Sequence, residues 1–483
     1  MAGLVASAGG GPSKGALGRE VIRHMGRRCL NWDYHARCIY QITITLADRS
    51  KHLLGELRPE LVEAVRAAKG DVSKAAWRGI LDRTRSSAEP DRTRSSAEPG
   101  RTRSSAEPKT GAGEMRGVVL SEIGRLVVDC WREIPQQWPG VEVLDCQVMP
   151  EHFHGVIFVK ERQAKTLGNI IGSFKSKSAS RAREILDRTR SSAEPDRTRS
   201  SAEPDRTRSS AEPDRTRSSA EPDRTRSSAE PVSDGFVFWA KGYVDTILWR
   251  EGQLRHMIDY DADNPRRLAI KRACPELFRV VRDLKVALPG LGGDSFGHFA
   301  ALGNPFLLER PLAQAQCSRA HFRYRRVAKP GGGLKIVRDA KGEPEIELTT
   351  CDFTARRDEL FALAKHGAAI VSPCVSDGER QIAREALAAG YPLVTLQNKG
   401  FSKLQKPSGV YFDACAEGRL LMLAPAGWPY QPGEKPMTRF DATALNRLCQ
   451  WLAGDGAVEI NYHGQTPGNV DQLAKDAARV EKA

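Results

Sequence analysis

The chain has 483 residues, a formal net charge of +14 at neutral pH and ten cysteines. Because a single hydrophobic core stops growing near roughly 250–300 residues, this length predicts two or three domains. The basic excess favours nucleic acid as the partner, and the scattered cysteines, with no Cys-x-x-Cys pair, give no support to a zinc ribbon or a redox pair. We find neither a secretion signal nor a long apolar run, and therefore expect a cytoplasmic protein with no membrane partner.

The first elements in the chain are a basic segment, a strand and a helix. Residues 1–30 hold arginines that predict a short helix, an arm lying on phosphates or a solvated tail. Cys38–Leu46 is rich in β-branched residues, which predicts a strand. Apolar spacing then predicts a helix over Leu57–Ala68.

Two repeat arrays interrupt this pattern. The nonapeptide Asp-Arg-Thr-Arg-Ser-Ser-Ala-Glu-Pro fills residues 82–108, with Gly100 replacing one aspartate, and then residues 187–231. Alanine is its only apolar residue, so the unit cannot bury a core and we expect both arrays to be disordered loop insertions. Our hypothesis is that they record in-frame expansion of a DNA repeat; a phosphorylation site or binding tail is the alternative.

Between the arrays the sequence predicts a helix, two strands and a basic helix. Apolar periodicity covers Met115–Trp138, a strand begins at Val141–Gln147, and a second helix runs from about 164 to 186. The last of these carries a basic surface, which is either a solvated face or a track for phosphates, formed by Lys175, Lys177 and Arg181 among others.

The stretch Val148–Val159 holds a pair of histidines on a predicted strand. Side chains alternate along a strand, so His152 and His154 share one face and Phe153 lies on the other. Two adjacent imidazoles provide half of a site for a divalent metal, although a structural histidine pair is a common alternative.

Two further groups follow the second array. Trp239 and Lys241 belong to an aromatic and basic cluster of the kind that stacks unpaired bases, a pattern that core packing explains equally well. A predicted helix, Glu251–Asp263, ends in Tyr260-x-x-x-Asn264-Pro265. Residues four apart lie on one helical face, so the hydroxyl of Tyr260 and the amide of Asn264 could face a metal together.

The C-terminal part changes to alternating strands and helices. Residues 276–300 predict a linker, 301–465 a doubly wound parallel sheet with a β-hairpin around 330–332, and 466–483 a flexible tail. The loop between one predicted strand and helix could hold a phosphate on its backbone amides, at Ser372, Ser376 and Gly378.

Taken together, Met149-Pro150-Glu151-His152-Phe153-His154, the segment 239–245 and Tyr260-x-x-x-Asn264-Pro265 resemble the REP-associated tyrosine transposases, a group of single-tyrosine HUH endonucleases. The likeness covers residues 31–275. It implies a ferredoxin-like α+β domain whose central antiparallel sheet carries the histidines, with helices on one face.

The resemblance also implies a chemistry. Mg²⁺ or Mn²⁺ would be held by His152, His154 and Asn264, and Tyr260 would attack a phosphate of single-stranded, palindromic hairpin DNA to form a 5′-phosphotyrosine. The protein would act as a monomer or homodimer.

The C-terminal part resembles, more weakly, the Rossmann-type domain of DNA-processing-protein-A-like mediators and of lysine-decarboxylase-like nucleotide enzymes. It lacks the glycine-rich signature of either group, which favours a DNA-binding or stabilising module. Two alternative functions remain for the whole chain. It could be a DNA-binding protein that keeps this fold without cleaving DNA, or a nucleotide-processing enzyme whose active site lies in the C-terminal half.

Overall fold

A computed structural model describes residues 23–24, 28–29, 32–68, 74–86, 114–193, 236–329, 332–339, 342–403, 405–433, 435–458 and 467–482. The chain is a mixed α/β protein that divides into two compact units. We call the described part of residues 21–57 and 101–264 the histidine unit. The described part of residues 58–100 and 265–483 is the parallel-sheet unit.

The strands of the described residues are β1 Arg23–His24, β2 Arg28–Cys29, β3 Cys38–Thr45, β4 Gly55–Leu57, β5 Glu114–Met115, β6 Val118–Leu120, β7 Val141–Met149, β8 His152–Val159, β9 Val244–Leu248, β10 Val281–Ala287, β11 Ser295–Gly303, β12 Leu312–Gln314, β13 Phe322–Tyr324, β14 Arg326–Ala328, β15 Leu334–Ile336, β16 Ile346–Thr349, β17 Ala369–Ser372, β18 Leu393–Leu396, β19 Leu420–Pro425 and β20 Glu481–Lys482. The α-helices are α1 Pro59–Ala67, α2 Lys74–Ser86, α3 Glu122–Arg132, α4 Ile134–Gln137, α5 Leu167–Ala193, α6 Gln253–Ala273, α7 Cys351–Lys365, α8 Asp377–Ala388, α9 Val410–Ala416, α10 Arg439–Ala453 and α11 Pro467–Ala478.

The histidine unit is built on a four-stranded antiparallel sheet in the order β7-β8-β3-β9. Strands β7 and β8 form a hairpin that places Met149 opposite His152. On its other side β8 pairs with β3, so Thr43 lies opposite His154. The predicted strands in this region are therefore confirmed. The two histidines lie on β8, one of the two central strands of the sheet.

One face of this sheet packs against helices. Phe153 contacts Trp131 of α3 and Phe174 of α5, with ring centroids 4.9 and 5.6 Å away. Gly155 lies under the Trp131 indole so closely that a Cβ at this position would overlap the ring. The first half of α6 covers the opposite face, which carries the histidines. The implied arrangement with helices on one face thus holds for α3 and α5 and not for α6.

The parallel-sheet unit is built on a seven-stranded mixed sheet. Its order is β10-β11-β19-β18-β17-β12, and β20 pairs with β11. Strands β12, β17, β18 and β19 are parallel to one another, while β10 and β11 run antiparallel. Two buried clusters, one containing Leu445 and Trp451 of α10 and the other Leu360 of α7 and Ile382 of α8, cover the sheet with helices.

Two predicted boundaries in this unit were wrong. Most of residues 276–300 belong to a β-hairpin formed by β10 and β11, and the glycines that suggested a linker lie in its turn, with φ of 80° at Gly292 and 62° at Gly293. The predicted tail contains α11, whose Ala474, Ala477 and Ala478 are buried in the core. Small alanine side chains gave this helix too weak an apolar signal for the sequence to indicate it.

Two helix predictions also need correction. The helix expected over Met115–Trp138 begins only at Glu122, because Arg116 and Gly117 have φ of 50° and 97° and form the turn between β5 and β6. Helix α6 does not end at Asn264 but continues through Pro265 to Ala273. Proline removes one intrahelical hydrogen bond, and the helix tolerates this loss.

The repeat arrays and the N-terminus are described only in part. Helix α2 continues through the first five residues of the first array, and α5 through the first seven of the second. The expectation of disorder is therefore wrong for these residues, and the rest of each array lies outside the described residues. In the basic segment, β1 pairs with β2 in place of the predicted helix or arm, and its other residues are also not described. On either side of the hairpin predicted around 330–332, β14 pairs with β15, while residues 330 and 331 lie outside the described residues.

Among the described residues, none of the helices combines the length and apolar character needed to cross a membrane.

Candidate tyrosine and histidine site

A row of polar side chains lies on the face of the antiparallel sheet that α6 covers. Alternation and register place Gln41 and Thr43 of β3 on this face with His152 and His154 of β8. The two imidazole rings are neighbours, with centroids 4.7 Å apart and planes at 84°. The predicted sharing of one face by the two histidines is confirmed.

Three polar groups surround one nitrogen of His154. Its Nδ1 lies 3.0 Å from Thr43 Oγ1, 3.0 Å from Gln41 Nε2 and 3.4 Å from Asp261 Oδ1. Burial and the neighbouring His152 lower the pKa of His154 to about 3, so its imidazole is neutral near pH 7. In the tautomer that carries the ring proton on Nδ1, this nitrogen donates to Thr43 Oγ1 or Asp261 Oδ1, and Nε2 is the nitrogen that remains for a ligand.

Asp261 is a fully buried carboxylate on α6. Gln41 Nε2 donates to its Oδ1 over 3.3 Å, and its Oδ2 has no hydrogen-bond partner among the described residues. Burial, helped by the charge of Asp145, raises the pKa of Asp261 to about 7, against the opposing effects of Gln41 and Arg116. The group therefore titrates near neutral pH beside a candidate metal ligand.

His152 lies at the turn of the hairpin beside Glu151. Its Nδ1 is 3.3 Å from Glu151 Oε1, an ion-pair distance without the alignment of a hydrogen bond. Burial alone would raise the pKa of Glu151, but contact with His152 and the charge of Arg49 bring it down to about 2. Glu151 is thus a carboxylate that stays ionised at the edge of the site.

Tyr260 faces this site from α6. Its ring centroid lies 6.5 Å from that of His154, at 87°, and its side chain is 39% exposed. Asn264 follows one turn later on the same continuous helix, so the two residues share a face as predicted. Within the described residues its buried Nδ2 has no hydrogen-bond partner, and Asn264 forms no hydrogen bond with either histidine.

The donor set bears on whether a divalent metal would fit. Among the described residues, no three histidine, cysteine or carboxylate side chains converge as a metal-binding group. Mg²⁺ and Mn²⁺ prefer oxygen ligands to imidazole, so a metal on these two histidines would need amide, water or phosphate oxygens to complete its shell. Asn264, the third predicted ligand, would have to contribute its Oδ1, because its buried Nδ2 is a hydrogen-bond donor and cannot bind a cation.

The residues predicted to contact DNA fall into two groups. Lys175 donates to the carbonyls of Ala240 and Gly242, both at 2.7 Å, so it lies beside the loop that carries the exposed Lys241. Trp239 is only 5% exposed, and its Nε1 donates to Ser178 Oγ. The Trp239 ring packs in the core, as the alternative to base stacking expects, and this burial leaves little of the ring for a base.

Lys177 and Arg181 have a different position. Both form ion pairs with Glu133, and these pairs lower the pKa of the Glu133 carboxyl. The basic surface expected on α5 is thus partly neutralised here. An exposed aromatic residue that the sequence did not single out is Trp249, which is 47% exposed and contacts the Arg250 guanidinium, 4.4 Å from its ring.

The predicted phosphate loop is already occupied by the chain itself. Ser376 caps α8 in a capping box with Glu379, whose Oε2 accepts hydrogen bonds from the backbone amides of Val375 and Ser376. Gly378 packs against Cys317, and Ser372 Oγ accepts from the Cys374 amide. At the phosphate site predicted for Ser372, Ser376 and Gly378, the Glu379 carboxyl therefore occupies the amides that a phosphate would use.

Sequence reasoning missed three residues that surround His154: Gln41, Thr43 and Asp261. A signal for two of them exists, since Gln41-Ile42-Thr43-Ile44 places polar residues at alternate positions of an otherwise apolar strand. Asp261 gives no such signal, because one more carboxylate on a charged helix is unremarkable until its burial is known.

Comparisons with known proteins add little to this picture. No family model matches the chain. An uncharacterized protein of Haemophilus influenzae is 28% identical over 85 residues, which cover 14% of this chain and 47% of that protein. No solved structure matches either.

Proposed function

We propose that the histidine unit is a metal-dependent endonuclease and strand transferase for single-stranded DNA, of the REP-associated tyrosine transposase type. The observation that carries this proposal is the position of Tyr260, a part-exposed hydroxyl whose ring lies 6.5 Å from that of His154 across more than a hundred residues of chain. A tyrosine acts as a nucleophile when a neighbouring base or a bound metal activates it, and the two imidazoles beside Tyr260 are groups that could hold such a metal.

In this proposal the chain's own groups have separate roles. The hydroxyl of Tyr260 attacks the scissile phosphorus, its proton passes to solvent, and the leaving 3′-oxygen takes up a proton. The enzyme then carries a 5′-phosphotyrosine, and the released 3′-hydroxyl can reverse the attack and join strands. Asp261 and Thr43 are positioning residues, which accept from Nδ1–H and so orient the imidazole of His154, and Gln41 supports both of them by donating to Thr43 Oγ1 and Asp261 Oδ1.

A bound Mg²⁺ or Mn²⁺, held by His152, His154 and Asn264, would supply Lewis-acid polarisation of the scissile phosphate. The neutral state of His154 supports this role, since an imidazolium cannot bind a cation.

The proposed path of the DNA runs beside the loop that precedes β9. Ala240 N of this loop donates to Thr45 O, and Thr45 lies opposite His152, so Lys241 of the loop and Lys175 of α5, which contacts it, adjoin the histidine end of the sheet. Phosphates on either side of the cleaved bond would contact these lysines. The exposed Trp249 follows β9 at the other end of β3 from Thr45, where it offers a face on which an unpaired base farther along the strand can stack.

The finer fold assignments belong to the same proposal. We infer a ferredoxin-like arrangement for the histidine unit and a Rossmann-like arrangement for the parallel-sheet unit, supported by their antiparallel and parallel sheets. The substrate would be a palindromic hairpin with unpaired bases.

The test uses hairpin DNA labelled at either end, incubated with the full chain and Mn²⁺. We expect a covalent adduct between the protein and the DNA fragment that bears the new 5′-phosphate, so the adduct carries the label placed at the 3′ end of the DNA. The adduct should be absent in Tyr260→Phe and in the presence of a chelator. DNA that is bound and never cut would support a non-cleaving binding protein instead.

A further inference from the structure

A cavity of about 360 Å³ lies in the parallel-sheet unit, at the carboxyl ends of two adjacent parallel strands. Strand β17 ends at Ser372 and is followed by Pro373 and Cys374 in the wall, and β18 contributes Thr395 and Leu396. Its volume falls at the lower end of the roughly 300–1,000 Å³ that small-molecule sites occupy. Open α/β sheets bind ligands at this edge of the strands.

The wall of the cavity carries positive charge without negative charge. Among the described residues that line it, Lys399 and Lys406 are basic and none is acidic. Lys406 is exposed, while Lys399 donates to the carbonyl of Gly433. An anionic ligand would therefore meet two ammonium groups and no opposing carboxylate in this wall.

A second, independent observation is a buried hydroxyl. Thr395 is 4% exposed and lines the cavity, and its Oγ1 has no hydrogen-bond partner among the described residues. Leaving such a group unpaired costs roughly 1–3 kcal/mol. A ligand oxygen in the cavity would supply the missing partner.

The remaining wall indicates the size and nature of the ligand. Met422, Met437 and Tyr411 present apolar surface, and Gln397 and Gln405 present amides that can donate and accept. Apolar walls with a few amides suit a heterocyclic base, and lysines suit its phosphate. We propose that this cavity binds a phosphorylated mononucleotide unit, with the phosphate at Lys406 and Lys399 and a hydrogen bond to Thr395.

Isothermal titration of the full chain with AMP, in the presence of a chelator, tests this site. We expect binding of one AMP per chain, weakened at least about tenfold in Lys406→Ala and about three- to tenfold in Thr395→Val. The matched control is Lys403→Ala, an exposed lysine three residues from Lys406 that does not line the cavity. Its affinity should equal that of the wild type.

Competition identifies the source of the nucleotide. Displacement of AMP by a short 5′-phosphorylated oligothymidylate would assign the cavity to the end of a DNA strand, and failure to displace it would assign a free nucleotide. The proposal is overturned if neither AMP nor the oligonucleotide binds in a way that Lys406→Ala weakens, or if inorganic phosphate binds as tightly as AMP. Because Tyr260→Phe should leave AMP binding unchanged, this outcome is independent of the proposed nuclease.

Discussion

The sequence predicted binding sites both at the histidine sheet and at the Ser372–Gly378 loop. The two regions differ in whether their buried polar groups have hydrogen-bond partners. In the loop, Glu379 accepts hydrogen bonds from the amides that would hold a phosphate. At the sheet, Asp261 Oδ2 and Asn264 Nδ2 are buried without partners in the described part of the chain, beside the part-exposed Tyr260.

This difference shows how hydrogen-bond accounting separates two kinds of polar cluster. A buried polar atom without a partner costs roughly 1–3 kcal/mol, so a fold that keeps several of them in one place benefits from a ligand there. A loop whose amides are already paired gains stability and loses its capacity to bind. The following variants test the contrast, from the largest expected effect to the smallest.

Replacing Tyr260 by phenylalanine should have the largest effect. The substitution removes the nucleophilic hydroxyl, so we expect covalent adduct formation on hairpin DNA to fall at least about 10³-fold. Tyr430→Phe, at another exposed tyrosine outside the site, is the matched control and should retain full activity. An adduct that persists in Tyr260→Phe would assign the nucleophile to another residue.

Asp261→Asn should change the pH dependence of stability in metal-free protein. The pKa of Asp261 is raised from 3.8 to about 7, so the folded state keeps a proton that the unfolded chain releases above about pH 4. Its contribution to the free energy of unfolding therefore falls as pH rises from about 4 to 7, by up to about 4 kcal/mol. Asparagine does not titrate, so the free energy of unfolding of the variant should rise relative to that of the wild type as pH increases from about 4 to 7.

Urea unfolding at several pH values, with a chelator present, measures this difference. Equal slopes of stability against pH for Asp261→Asn and the wild type would contradict the burial of an ionisable Asp261.

Glu379→Ala should destabilise the parallel-sheet unit by about 2 kcal/mol, because the capping box of α8 is lost and the amides of Val375 and Ser376 become unpaired. Glu379→Gln keeps an accepting oxygen and avoids burying a charge, whose cost is visible in the raised pKa of Glu379. It should therefore be close to neutral in denaturant unfolding. An equal loss in both variants would show that packing, and not the accepted hydrogen bonds, holds the loop.

Substitutions at two tryptophans should have the smallest effects, and each should change a different quantity, DNA affinity or stability. Trp249→Ala should weaken binding of single-stranded DNA about tenfold while leaving stability nearly unchanged, since the ring is 47% exposed. Trp239→Phe should leave DNA affinity unchanged and lower stability, because the hydrogen bond to Ser178 is lost. Fluorescence anisotropy with labelled DNA and thermal unfolding measure the two quantities. The reverse pattern would return the stacking role to Trp239.

The sequence predicted the parts of the fold whose signals are local. A β-branched run placed β3, and alternation placed the two histidines on one face of β8. It failed where tertiary context decides: Gly292 and Gly293 form a hairpin turn, and the alanines of α11 are buried although they are small. The extent of α6 was also missed, since packing keeps Pro265 inside a helix.

The candidate site divides in the same way. Tyr260, His152 and His154 carry recognisable spacing, and the structure brings the tyrosine ring next to His154. Asp261 and the pairing of Glu379 with its loop depend on burial and on hydrogen bonds made in three dimensions, which spacing does not encode. Lys177 and Arg181 looked like a DNA surface because their partner, Glu133, comes from a different part of the sequence.

The close approach of Gly155 to Trp131 has a consequence for related chains. The strand position after the second histidine has no space for a side chain while an indole lies above it. The two positions should therefore covary: a sequence with alanine or serine at 155 would need a smaller residue at 131, and one that keeps tryptophan would keep glycine. An alignment of relatives can reveal this coupling before any protein is made, and the paired substitution Gly155→Ala with Trp131→Phe should recover part of the stability that Gly155→Ala alone loses.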